Sequence, residues 1–141
     1  MAEINRKEET LLGIARIDED HGKLVDLLGR LLAIGSHQEG LNEINGILGE
    51  LDQLTHAHFA REERMLREHR YPGLVLHVDA HREIKNRLDE IKYSLLQKGP
   101  SHLLNARLEE FLEYWLLRHV REMDQAYADY FSAQGIRPDP E

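Results

Sequence analysis

Between Leu74 and Leu95 one face of a helix can be followed residue by residue, and two of its members are out of place on an apolar stripe. Leu74, His77, His81, Ile84, Leu88, Ile91 and Leu95 alternate steps of three and four, the spacing that lines side chains along one side of an α-helix. A face so apolar is made to be buried. A buried imidazole must then be hydrogen-bonded or ligated, because leaving it unsatisfied costs several kcal/mol.

The same inconsistency recurs on three other segments. One runs His21, Leu24, Val25, Leu28, Leu31, Leu32; a second runs Ile44, Leu48, Leu51, Thr55, His58, Glu62, with Met65 beyond; a third runs Leu104, Leu108, Phe111, Trp115, His119. Breaks at Gly35–Gly40, at Tyr71-Pro72-Gly73 and at Gly99-Pro100-Ser101 separate four helical segments, roughly 18–35, 41–70, 74–98 and 101–133. No stretch alternates with period two, so strands are not expected. Long amphipathic helices joined by short connections predict an all-α fold, an antiparallel up-down-up-down four-helix bundle over residues 18–133. Residues 1–17 form an N-terminal arm in which Leu11, Leu12, Ile14 and Ile17 are available to pack, and residues 134–141, with Pro138 and Pro140, form a tail. The charged run Arg6-Lys7-Glu8-Glu9 leaves open an extension of the first helix into the arm.

Composition removes whole classes of function. A formal charge of −8 without a Lys/Arg cluster disfavours nucleic acid and anionic lipid as partners. The absence of cysteine excludes disulfides, thiolate zinc sites, iron–sulfur clusters and cysteine nucleophiles. No apolar run approaches the roughly 20 residues of a membrane span, and the first residues lack the apolar block of a signal peptide. A cytoplasmic setting is expected. The unusual quantity is nine histidines in 141 residues.

His58 and Glu62 are four apart, as are His77 and His81, so each pair sits about 40° apart around its helix and about 6 Å apart along it. Such pairs can converge on one ion. His119 and Asp124 are five apart; a regular helix splays them by about 140°, unless the helix carries a local π turn, as functional sites often do. Counting back and forth from each break at about 1.5 Å per residue brings His21, His58, Glu62, His77, His81, His119 and Asp124 to one level of the bundle. Five imidazoles and two carboxylates exceed what one ion takes, and two ions bridged by Glu62 and Asp124 use all seven. Nitrogen and oxygen donors suit iron, zinc, copper or manganese, so ligand type alone does not name the metal. Glu-x-x-His, the mark of ferritin-like di-iron bundles, and HExxH are both absent.

His21 in Ile17-Asp18-Glu19-Asp20-His21, His58-Phe59-x-x-Glu62-Glu63, Tyr71-Pro72 followed by His77-x-x-x-His81, and Trp115-x-x-x-His119-x-x-x-x-Asp124 together resemble the bacterial hemerythrins from about residue 11 to about residue 131. The resemblance implies one iron on His77, His81 and His119, a second on His21 and His58, and bridging by Glu62, Asp124 and a solvent oxygen. It implies an open position on the second iron, where dioxygen binds reversibly, and a pocket walled by Leu24, Phe59, Trp115, Leu116 and Val120. By spacing alone those five are plain core. The arm departs from the family in lacking a tryptophan.

The remaining polar residues read more simply. His37 and His102 fall at helix ends or loops, and His56 is offset by about 200° from His58, toward solvent. His69 returns to the face of Glu62 about 10 Å further along and is expected at the end of the bundle, with an accessory ligand or proton-relay role as the alternative. Asp18 is placed either to cap the first helix or to orient His21. The expected function is reversible, non-enzymatic dioxygen binding at two irons for storage, delivery or sensing, alongside an oxygen-consuming enzyme or a reductase. Little chain follows the fourth segment for an output domain, which favours delivery or buffering. The alternatives are a di-iron oxidoreductase acting on peroxide, dioxygen or nitric oxide, and an oxygen or redox signalling module.

Overall fold

The computed structural model describes residues 7–34, 41–99 and 101–140, with the side chains of Leu41, His102, Leu103, Leu104 and Trp115 outside that description. Helix α1 spans Ala15–Ile34, α2 Leu41–Glu68 and α3 Leu74–Lys98. The fourth rod is composite: α4 (His102–Glu110), π-helical segments Phe111–Leu117 and Val120–Asp124, and α5 (Gln125–Ala133). Helix α1 packs on α2, α2 on α3, α3 on α4, and α4 returns to α1, closing a bundle. No strand occurs among the described residues, and none of their helices is long and apolar enough to cross a membrane. The break expected at Gly35–Gly40 lies outside the described residues.

The other two breaks end as their chemistry requires. Before α3 the chain turns with Arg70 at φ 54° and the Tyr71 N–H donating to the Leu66 carbonyl over 2.9 Å. A Cβ on Gly73 would stand 2.7 Å from the Tyr71 ring, so the close approach of ring to backbone needs glycine there. Gly99, at φ 73°, closes α3 by donating to the Leu95 carbonyl.

Two apolar clusters fill the interior. The larger includes Leu24, Leu28, Leu51, Phe59, Ile84, Leu88, Leu108, Leu116 and Leu117. The smaller is built from Ile14, Ile17, Met65, Leu66, Tyr127 and Phe131, with Leu12, Tyr71, Leu74 and Ile136 packed against it. Along every rod predicted ligands fall between the two: His21 between Ile17 and Leu24, Glu62 between Phe59 and Met65, His77 and His81 between Leu74 and Ile84, His119 and Asp124 between Leu117 and Tyr127, while His58 directly precedes Phe59 at the edge of the larger cluster. A polar layer is thus sealed above and below by hydrocarbon.

The arm differs from expectation at two points. Helix α1 begins at Ala15, inside the span assigned to the arm, yet the arm does not simply extend it. Residues 7–10 form their own turn and the chain reverses through Gly13 at φ 87°. Ile14 and Ile17 are buried as expected, but Leu11 is 58% exposed, because that reversal points it outward. The tail turns at Gly135 and returns Ile136 to the smaller cluster, its N–H donating to the Phe131 carbonyl.

Candidate metal centre

Seven residues from four rods meet in the polar layer, and all are buried. Each carboxylate divides its two oxygens between two groups of imidazoles. Oε1 of Glu62 lies 2.8 Å from the Nε2 atoms of both His77 and His81, while its Oε2 lies 3.5 Å from Nε2 of His58. Oδ1 of Asp124 lies 3.0 Å from Nε2 of His77 and 3.1 Å from Nε2 of His119, while its Oδ2 lies 3.2 Å from Nε2 of His21. Two overlapping donor sets result, one of His77, His81 and His119 and one of His21 and His58, each completed by both carboxylates, with ligand atoms within 4.8 Å of one another.

The backbone of the fourth rod makes this possible. Arg118 donates to the Glu113 carbonyl and Gln125 to the Val120 carbonyl, i→i+5 bonds in place of i→i+4. The wider turn brings Asp124 back to the side of His119. The five-residue spacing therefore reports a π turn.

What this layer fits can be tested on its own atoms. Nε2 of His21, His81 and His119 and both oxygens of Asp124 are buried without a hydrogen-bond partner, although opposite charges lie close by. Orphaned donors of one layer, all nitrogen or oxygen and converging, fit cations with mixed N/O preference such as iron. They do not fit a closed hydrogen-bond network.

Outer contacts hold several imidazoles with Nε2 pointing inward. Nδ1 of His58 donates to Asp20 Oδ2 over 3.0 Å, and Arg61 also donates to that oxygen. Nδ1 of His81 donates to Glu63 Oε2 over 2.7 Å. Nδ1 of His21 donates to the Thr10 carbonyl over 3.2 Å. The Tyr127 hydroxyl donates to Glu62 Oε2 over 2.8 Å. Partners of this kind fix ring orientation and raise ligand basicity. Helical periodicity gives no role to Asp20, Glu63, Tyr127 or the Thr10 carbonyl, although Asp20 and Glu63 stand beside ligands in the motifs. Tyr127 carries a signal, three positions after Asp124 and hence on its face, and Asp20 another, as neighbour of His21.

Without cations, protons take their place. Burial and the neighbouring Asp124 charge push the Glu62 carboxyl up, but His58, His77 and His81 outweigh them and hold it well below its ordinary value. Burial likewise raises Asp124, and His119, His21 and His77 more than reverse it. Burial opposes charge on His21 and His77, yet the Asp124 and Glu62 carboxylates raise them to about 9 and about 10. Burial and the Glu62 charge push the Tyr127 phenol well above its usual value, so it stays a donor.

The residues expected to wall a pocket have varied surroundings. Leu24, Phe59 and Leu116 belong to the larger apolar cluster, and Val120 is buried on its π segment. The side chain of Trp115 lies outside the described residues. Phe59 stacks flat on His81, with centroids 3.8 Å apart and planes at 6°, and stands 5.9 Å from His58. His56 is exposed, as expected. His69 packs edge-on against Phe131 at the end of the bundle. His37 and the side chain of His102 lie outside the described residues. Asp18 takes up a third task, since its carboxylate accepts the N–H groups of Leu12 and Gly13; with α1 starting at Ala15, those amides belong to the arm.

Residues 12–131 match the family model described as the Hemerythrin HHE cation binding domain. Among curated relatives, a bacteriohemerythrin of Stenotrophomonas maltophilia is 31% identical over 94% of this chain and 84% of its own length. Bacteriohemerythrins of Clostridium acetobutylicum and Pseudomonas aeruginosa are 26% and 28% identical, over 87% and 92% of this chain and 97% and 82% of their own lengths. No solved structure gives a significant match.

Proposed function

The chain belongs to the hemerythrin family, and from that premise we propose that it binds dioxygen reversibly at a pair of iron ions, for storage, delivery or sensing. The observation that carries this reading is the division of the carboxylates: Glu62 and Asp124 each turn one oxygen to the three-imidazole group and the other to the two-imidazole group. A single cation would leave one half of that arrangement unexplained. His77, His81 and His119 hold one iron, His21 and His58 the other, with Glu62 and Asp124 between them. When bound, such a pair of irons supplies reversible two-electron exchange with dioxygen.

The protein's own part is positioning and exclusion. The second group has fewer protein donors, which leaves room there for a small ligand. Leu24, Phe59, Leu116 and Val120 keep water from it, and slow proton delivery disfavours irreversible oxidation. Tyr127 retains its proton and holds Glu62 by Oε2. A physiological partner on this reading is an oxygen-consuming enzyme or a reductase.

The test is an absorption spectrum of the reduced, iron-loaded protein before and after air, with iron quantified per chain. Two irons per chain and an oxygenated spectrum that reverses on removing dioxygen are expected. One metal per chain at saturation refutes the two-ion reading. Rapid turnover of peroxide or nitric oxide with a reductant, without a stable oxygenated spectrum, replaces the carrier by an enzyme.

A further inference from the structure

The residues before α1 reach into the metal layer through a backbone atom. Thr10 is polar yet only 1% exposed. Its N–H and its hydroxyl both bond to the Lys7 carbonyl, over 3.1 and 2.7 Å, closing a turn that aims the Thr10 carbonyl at Nδ1 of His21, 3.2 Å away. A carbonyl can only accept. The bond therefore requires the proton on Nδ1 and leaves the lone pair of neutral His21 on Nε2, the buried atom that faces Asp124 without a hydrogen-bond partner.

Leu12 and Ile14 pack on the smaller apolar cluster, and Asp18 supplies the hydrogen bonds that tie the chain between turn and helix to α1. Its two carboxylate oxygens accept the Leu12 N–H over 2.7 Å and the Gly13 N–H over 3.1 Å, and the reversal between turn and helix uses Gly13 at φ 87°. A second tie, Lys7 to Asp26 over 2.7 Å, joins side chains that are 44% and 52% exposed, and pairs so open contribute little. Two other imidazoles take their outer contact from the helices and not from the arm: His58 is oriented by Asp20 on α1 and His81 by Glu63 on α2.

We propose that Asp18 is a positioning residue for the two-imidazole half of the metal centre: by clamping the arm it holds the Thr10 carbonyl on His21, and so sets the affinity of that half while leaving the three-imidazole half unaffected. This rests on the two-ion reading above. A residue that merely stabilised the fold would weaken both halves alike. One that acts through His21 weakens one.

The experiment is a titration of the metal-free, full-length protein with cobalt(II), followed by ligand-field absorption, for wild type, Asp18→Ala, Asp18→Asn and Gly13→Ala. The Gly13 substitution is a mild second probe, because an added Cβ meets nothing within 4 Å and the positive φ alone resists it. Wild type is expected to take two equivalents. In Asp18→Ala and Gly13→Ala the first should bind as in wild type and the second about tenfold or more weakly, the usual scale for losing an outer contact to a metal-binding imidazole. Asp18→Asn keeps one acceptor oxygen and should fall between. A second equivalent unchanged in both Asp18→Ala and Gly13→Ala, or both equivalents weakened together, overturns the proposal with the two-ion reading intact. A wild type that takes fewer than two equivalents overturns that reading and this inference with it.

Discussion

The Tyr127 hydroxyl donates to Glu62 Oε2 over 2.8 Å, joining residues 65 positions apart at the boundary between the polar layer and the smaller apolar cluster. That oxygen is also the one turned toward His58, while its twin faces His77 and His81. The phenol therefore sets the rotation of the carboxylate on which both imidazole groups converge. Its ring packs beside His77, at 5.5 Å between centroids, so the same side chain braces both ligand types.

Replacing Tyr127 by Phe keeps the ring and removes the donor from a fully buried carboxylate oxygen. Losing a hydrogen bond to a charged, buried acceptor costs about 1–3 kcal/mol. Denaturant unfolding of metal-free Tyr127→Phe should show that loss with an unchanged slope; equal midpoints for variant and wild type would mean the hydroxyl does not hold Glu62.

His77 is the one imidazole whose Nε2 approaches both carboxylates. His77→Ala should lower metal content from two ions toward one, and should also destabilise the metal-free protein, since Glu62 and Asp124 lose a cationic neighbour and a cavity is left. Metal analysis and thermal melting check this together. Unchanged metal content and melting temperature in the variant contradict its assignment as a ligand.

The dependence on pH has opposite signs with and without metal. His21 and His77 are raised from an ordinary 6.5 to about 9 and about 10 in the folded, metal-free protein. Their contribution to stability is complete below about pH 6.5 and is lost as pH rises through those values. Glu62 and Asp124 are depressed; their contribution is complete above the ordinary carboxylate range and is lost only on strong acidification. Metal-free protein should therefore unfold more easily at pH 9.5 than at pH 6. Metal displaces those protons, so loading at pH 7 should release protons into a weak buffer, and the stabilisation conferred by metal should grow as pH rises. Metal uptake at pH 7 without proton release would falsify the linkage.

Leu116 is buried in the larger cluster, on the π segment that precedes His119. If it shields the open side of the two-imidazole group, Leu116→Ala should speed air oxidation of the iron-loaded protein while both irons remain bound. Stopped-flow absorption with iron analysis measures both. An oxidation rate equal to wild type removes Leu116 from the shielding role.

The helices and the identity of the polar layer were legible in the amino-acid sequence because both are written in local periods. A repeat of three and four gives the buried face, and a fixed rise gives the height, so His77 and His81 could be placed level with His21, His58, Glu62 and His119 without knowing how the rods pack. Even the π turn before Asp124 left its trace, as a five-residue spacing that a regular helix could not use. What the sequence left open was which atoms meet across the rods. Asp20 sits beside His21 in the chain but serves His58 on α2; Glu63 sits beside Glu62 but serves His81 on α3; Asp18 ties down an arm whose reversal at Gly13 no periodicity encodes. A helical period determines which way a side chain points around its own axis. Which atom of the neighbouring rod meets it depends on how the two helices are rotated and shifted against each other, and that was decided only when the apolar clusters on either side of the layer packed.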